Sequence, residues 1–235
     1  MGVTLNERRI KQKGEKRIMS VKPILFNTEM VRAILSGDKT FTRRVIKPQP
    51  KSKLCYTFAG GDCGTWGYPI PSAHEIWGEE CKLPDDITKD DLAKRWIPPY
   101  HADDILYVRE TWFKDVDRYM YRANYSDREK FYRGGKEIEM KWKPSIHMPK
   151  EAARIWLKVT NIRVERLQEI KIDGIRDEGL SSMAVHVGDM EIALKEWETL
   201  WNSTIKKSDI DTYGWDANPW VWVIEFERCA ELGKE

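Results

Sequence analysis

The sequence has little of what marks a metal protein, a secreted protein or a membrane protein. It contains four cysteines in 235 residues, and no two of them form C-x-x-C. Without that spacing a structural zinc site has no signature. Cys55, Cys63, His74 and Cys81 do fall in one stretch, so a zinc knot is the alternative to unliganded thiols, and the missing C-x-x-C favours thiols. No run of about eighteen apolar residues is present, which argues against a membrane-spanning helix. No apolar core follows the N-terminal charges, so a secretory signal is not expected. The expectation is a cytoplasmic protein with reduced thiols and no partner in the membrane. Internal repeats and low-complexity tracts are also missing.

Net charge is low as well. The total of +2 hides an asymmetry: residues 1–18 hold six cations (Arg8, Arg9, Lys11, Lys13, Lys16, Arg17) against Glu7 and Glu15, which is +4, and the rest of the chain is therefore at −2. A body so close to neutrality cannot rely on counterion release for tight non-specific binding of long nucleic acid. Any ligand contact must be local. Residues 1–21 read as a basic N-terminal extension, either a nucleic-acid arm or a translated leader ahead of a true start at Met19. Residues 22–229 read as a single domain and residues 230–235 as a tail.

What the sequence does have is 41% hydrophobic and 33% charged residues, enough for a sizeable core under a charged surface. Lys22 to Phe26 reads as a short buried strand. A helix capped at Asn27 or Thr28 carries Met30, Val31, Ile34 and Leu35 at helical spacing and ends at Gly37. Thr42 to Ile46 is extended. Residues 51–100 are irregular, rich in Pro and Gly, with Trp66, Trp77 and Trp96 arguing for a packed insertion rather than a linker. Strands follow at Ile105–Thr111 and Tyr119–Ala123, and a charged loop or hairpin tip at 127–141. From Ile155 to Val164 the period-two alternation slips once after Thr160, which reads as one long strand with a bulge. Helices are expected from Ile172 to Glu178 and after an Asp189 cap, a loop over 203–218, and a closing strand from Trp220 to Phe226. The fold class is α+β, a small curved sheet or barrel with packed helices and a long irregular insertion.

The informative stretch is Gly37-Asp38-Lys39-Thr40-Phe41-Thr42-Arg43-Arg44. A helix stops at a glycine and releases an amine, a hydroxyl and two guanidinium groups into the next segment. Such a corner can be reactive or anion-binding, and it equally describes an ordinary surface turn. Gly37-x-Lys39-x-x-Thr42-x-Arg44 resembles the G-x-K-x-x-[TE]-x-R signature of the ASCH domain, a relative of the PUA RNA-binding fold. Asp103-Asp104-Ile105-Leu106-Tyr107-Val108-Arg109 is similar to that fold's G-D-x-L-x-V strand start, with Ala102-Asp103 departing from Gly-Asp. The segment 155–180 and Trp220-Val221-Trp222-Val223-Ile224-Glu225-Phe226 follow in matching order. The longer pattern is similar to phage and prophage ASCH-domain proteins.

That resemblance implies a PUA-like fold and, in the branch that hydrolyses N4-acetylcytidine, three catalytic residues. They are Lys39, Thr42 and a downstream glutamate, here assigned to Glu178 of Asp177-Glu178-Gly179. Threonine in place of the glutamate common at position 42 points toward that branch. Arg44 is the ligand-orienting cation. Chemically, a threonine hydroxyl needs a base to take its proton, and Lys39 can serve only if burial or a neighbouring cation (Arg43 or Arg44) lowers its pKa. Residues three apart share a face on a turn and oppose each other on a flat strand, so a turn is expected over Lys39 to Thr42. Arg109, Trp112, Asn218 and Trp220 are candidate substrate-binding residues, the aromatics for stacking on a base. For Trp220 and Trp222 the competing reading is core; for Arg109 with Glu110, a surface pair. His147 reads as a structural histidine or a base. Asp85-Asp86, Asp90-Asp91 and Asp103-Asp104 are taken as solvated loop charges rather than a metal site. The expected function is metal-independent amidohydrolysis of an acylated cytidine-type base, with no cofactor and with a nucleoside or single-stranded RNA as partner. The alternatives are a non-catalytic RNA or modified-base binding module, a ribonuclease, and a structural protein of phage assembly.

Overall fold

The computed structural model describes residues 19–56, 66–68, 86–116 and 118–231. The basic segment 1–18 and Cys63, His74, Trp77 and Cys81 lie outside the described residues. Two compact units divide the chain: one is formed by Pro50–Pro99, the other by Val21–Gln49 with Tyr100–Glu235.

The larger unit starts with β1 (Val21–Leu25) and α1 (Thr28–Ser36). Asn27 caps α1 by accepting from the Met30 N–H, and Gly37 closes it at φ 91°, a left-handed conformation open to glycine at little cost. The chain then runs out into β2 (Phe41–Val45). In the smaller unit β3 (Cys55–Tyr56) pairs antiparallel with β4 (Trp66–Gly67), and α2 (Lys89–Ala93) begins with a capping box between Thr88 and Asp91. Trp66 exchanges backbone hydrogen bonds with Trp96, whose ring meets Tyr68 edge-on at 5.2 Å. Asp91 is therefore no solvated loop charge: it is buried and held below the usual carboxylate range by hydrogen bonds from Lys94 and Thr88.

Back in the larger unit come β5 (Ile105–Arg109), then the hairpins β6 (Trp112–Asp115) with β7 (Arg118–Tyr121) and β8 (Phe131–Arg133) with β9 (Lys136–Ile138). The long β10 (Trp156–Arg166) has its register shift between Val159 and Asn161, at the slip in the alternation. α3 (Ile172–Asp177), α4 (Met183–Val187), α5 (Met190–Thr204) and α6 (Ile210–Tyr213) precede β11 (Trp220–Cys229). Segment 203–218, expected as loop, thus contains the end of α5 and a one-turn helix. The sheet order is β1-β5-β10-β11-β2, with β1 parallel to β5 and the other pairs antiparallel. This is a mixed five-stranded sheet in an α+β unit.

Buried residues of α3–α5 (Ile175, Ala193, Trp197, Trp201) pack on Val221 and Val223 of β11 and cover one face of the sheet. Each such large apolar side chain contributes roughly 1.5–3 kcal/mol on burial. The opposite face is concave. Three strand spacings between β1 and β11 amount to about 14 Å in a flat sheet. Yet the rings of Phe26, just past β1, and Phe226 of β11 lie 6.1 Å apart. The Arg44 guanidinium of β2 also reaches across to the Leu25 carbonyl of β1, at 3.0 Å. The two edge strands therefore face each other across a gap, with no ladder of hydrogen bonds closing it among the described residues.

Candidate functional site

That gap holds a cleft of about 180 Å³, lined by Leu25 to Asn27 at the start of α1, by Lys39 and Thr42 to Arg44, by Glu178, and by one face of α5 including Trp197 and Trp201. A strand running along the rim of such a cleft offers side chains from both faces. Thr42 and Arg44 alternate with Arg43, and all three reach the lining.

Lys39 is brought to Glu178 by backbone pairing. The two residues form an isolated antiparallel bridge, Thr40 N–H donates to the Asp177 carbonyl and Lys39 N–H to that of Ala33. Bridge partners project side chains to the same side, and Lys39 Nζ donates to Glu178 Oε2 at 2.7 Å and to the Glu178 carbonyl at 2.8 Å. Gly179 makes this approach feasible. It sits at φ 88°, and a Cβ there would lie 2.7 Å from Ala33 Cβ and 3.0 Å from Lys39 Cβ.

The turn expected over Lys39 to Thr42 is not formed. Lys39 lies in the bridge and β2 begins at Phe41, because Asp177–Glu178 and β11 hold this segment extended from both sides. Lys39 and Thr42 reach the same cleft because the segment lies along its rim. Arg43, expected to repel Lys39 from nearby, is instead part of an ion-pair chain: its guanidinium donates to Glu178 Oε1 and to Glu165 Oε2, each at 3.2 Å, and Glu165 in turn binds Arg163. Lys39, Thr42, Arg43 and Glu178 are all at most 5% exposed.

Burial pushes the Lys39 ammonium down from its ordinary value; Glu178 acts against that shift, and Arg44 and Arg43 add to it. Burial likewise lowers the Arg44 guanidinium, which packs over the Phe26 ring at 5.5 Å. Lys39 Nζ lies 5.6 Å from the centre of the same ring.

Four of the expected substrate-binding residues do not line this cleft. Arg109 donates its Nε to the Met148 carbonyl at 2.7 Å. Trp112 belongs to a small core with Met148 and Ala152. Asn218 adopts φ 43° in the turn before β11, and its Oδ1 accepts from Gln168 N–H. Trp220 is buried under the Arg166 guanidinium, 4.3 Å from its ring centre, while Gln49 brackets its backbone. These groups are committed to packing and turn geometry. Glu110 is no surface partner of Arg109 either: it is 1% exposed and held bidentately by Arg154. Asp104 is fully buried and pairs with Lys22 at 3.1 Å, and His147 is exposed. Among the described residues no group of three or more His, Cys, Asp or Glu side chains is placed to hold a metal, and no helix is long and apolar enough to cross a membrane.

A larger hollow of about 390 Å³ lies at the β8–β9 hairpin. It is open to solvent, and its Arg122–Asp127 and Lys130–Glu137 pairs neutralise one another. Arg43 and Trp197 are among the cleft residues that sequence reasoning did not place there. Trp197 falls in the helix expected after the Asp189 cap, and Arg43 was legible only as the neighbour of a motif position. No protein-family model, no curated protein and no solved structure matches the chain.

Proposed function

We propose that the cleft binds a cytosine-type base on a PUA-like, ASCH-type core and hydrolyses the amide of an N4-acyl group. The observation that carries this reading is the convergence of Lys39, Thr42 and Glu178 on one small cleft with the lysine's pKa lowered by burial. At about 180 Å³ the cleft is smaller than the roughly 300–1,000 Å³ of sites for drug-sized ligands, which suits a single ring with a short acyl group.

A neutral Lys39 amine has two N–H bonds and one lone pair. The contacts to the Glu178 carboxylate and carbonyl use both N–H bonds, so the lone pair remains for the Thr42 hydroxyl. In the proposed reaction Thr42 Oγ1 attacks the acyl carbonyl carbon while its proton passes to Lys39. The C–N bond breaks as the exocyclic nitrogen takes that proton back, leaving the acyl group esterified to Thr42. Water then hydrolyses the ester, releasing the carboxylic acid and the free hydroxyl. Glu178 aims Lys39 and stabilises its ammonium form.

Absorbance-monitored deacylation of N4-acetylcytidine tests this. Turnover unaffected by EDTA is expected, with kcat/KM lowered by about 100-fold or more in Thr42→Ala and Lys39→Ala. Full activity of a folded Thr42→Ala protein would remove the covalent route.

A second reading, a non-catalytic reader of the same base, is favoured by one feature. Lys39 Nζ is bonded to Glu178 and not to Thr42, the arrangement of a purely structural pair. Binding of cytidine without turnover of the acetylated form would select it.

A further inference from the structure

Beside the Thr42 hydroxyl, which can donate or accept, the unpaired polar groups of the cleft are donors. Lys39 and Arg43 are matched by Glu178 and Glu165. Arg44 has only the Leu25 carbonyl and makes no ion pair with a described carboxylate. Two further N–H groups are buried without any hydrogen-bond partner, Arg43 Nε and Trp197 Nε1, in side chains 5% and 3% exposed. With Lys39 and Arg43 matched, the Arg44 guanidinium is left in the lining without an ion pair of its own. A buried donor left unpaired is costly, and a cleft guanidinium that makes no ion pair with a described carboxylate is complementary to an anion.

We infer that Arg44, together with the orphaned N–H groups of Arg43 and Trp197, seats an anionic group of the ligand: a phosphate carried on the nucleoside, so that the cleft takes a nucleotide residue in preference to a free nucleoside. The word nucleotide rests on the proposed nucleobase reading; the anion seat rests on the unpaired donors alone. The phosphate belongs either to a free mononucleotide or to a residue of single-stranded RNA.

Calorimetry on the full chain tests this with four probes: cytidine, cytidine 5′-monophosphate, inorganic phosphate and a cytosine-containing RNA trinucleotide. Cytidine 5′-monophosphate is expected to bind at least about tenfold tighter than cytidine, with the preference shrinking as salt is raised. Arg44→Gln, checked for folding by its melting curve, brings the two affinities to within about twofold, and Arg44→Lys restores part of the preference. Equal affinities in the wild type, or a preference that survives Arg44→Gln, overturns the inference. If neither nucleoside nor nucleotide binds, inorganic phosphate decides. Binding lost in Arg44→Gln upholds the anion seat while the nucleobase reading fails, and no phosphate binding overturns both. Deacylation of N4-acetylcytidine with no effect of a phosphate keeps the proposed reaction and removes the seat. A trinucleotide bound tighter than the mononucleotide assigns the phosphate to an RNA strand, and the reverse order to a free nucleotide; both uphold the seat.

Discussion

At Lys39 two opposing effects act on one ammonium group. Burial disfavours the charge, Glu178 favours it, and burial is the larger. The consequence for stability has a definite sign. Between the lowered folded value and the ordinary 10.5, the unfolded chain holds more protons at this position than the folded one, so stability rises with pH across that interval. The wild type should therefore gain on Lys39→Met as pH is raised from 7 to 10, measured by urea unfolding at each pH. A gap that is constant or moves the other way would mean that Glu178 wins. Glu178 carries a different risk: its loss strands Lys39 in a buried site and leaves Arg43 with Glu165 alone. Glu178→Ala is expected to cost about 3–5 kcal/mol, the magnitude for breaking a buried pair from one side, whereas the double variant Lys39→Met/Glu178→Leu should recover part of that. Motif spacing made Lys39, Thr42 and Arg44 legible. The Lys39–Glu178 contact spans 139 residues of sequence, and no local pattern in either segment announces it. Arg43 was hidden by its own strand: alternation points it away from Thr42, and only the position of β2 at the sheet edge returns it to the cleft.

Among the elements, those with strong periodicity or explicit caps were readable. α1 has both its Asn27 cap and its Gly37 stop, α5 starts at the expected Asp189, and the bulge of β10, between Val159 and Asn161, falls at the slip expected after Thr160. α4 and α6 were missed because five and four residues are too few for a helical period to show. The turn expected at Lys39 failed for a tertiary reason, since partners on both sides supply hydrogen bonds that an isolated turn lacks. The most demanding junction is Gly179, where α3 ends and Glu178 meets Lys39. A methyl group there must adopt a left-handed conformation and push against Ala33 and Lys39. Gly179→Ala should destabilise by about 2–4 kcal/mol, combining backbone strain with overpacking, and it should weaken ligand binding because it displaces the Lys39–Glu178 bridge. Gly37→Ala provides the control. Gly37 shares the positive φ, but no atom lies within 4 Å of a Cβ placed there, so only the smaller conformational cost applies. Equal losses in the two variants would remove the close-approach argument.

For the molecule as a whole, composition and element order pointed to α+β with a curved sheet, and the hydrophobic pattern of each main strand was sufficient for that. Which residues hold the curve was not readable: it depends on Phe26 meeting Phe226 and Arg44 reaching Leu25, contacts between strands that are not neighbours in the sheet. The strand order also carries a consequence for the segment between β2 and β5. All five strands of the main sheet come from Val21–Gln49 and Tyr100–Glu235, and the described residues of Pro50–Pro99 contribute none. Among the described residues the β1-β5-β10-β11-β2 ladder therefore takes its strand pairing from within the larger unit. Replacing Pro50–Pro99 by a flexible Gly/Ser linker of about ten residues should leave a protein that unfolds cooperatively and keeps the buried-tryptophan fluorescence of Trp197 and Trp222. A shortened protein with the full-length transition and an unchanged nucleotide affinity would place recognition wholly in the larger unit. Retained folding with altered affinity would instead give the Pro50–Pro99 unit a part in choosing the ligand. Loss of cooperative unfolding would contradict the independence of the sheet.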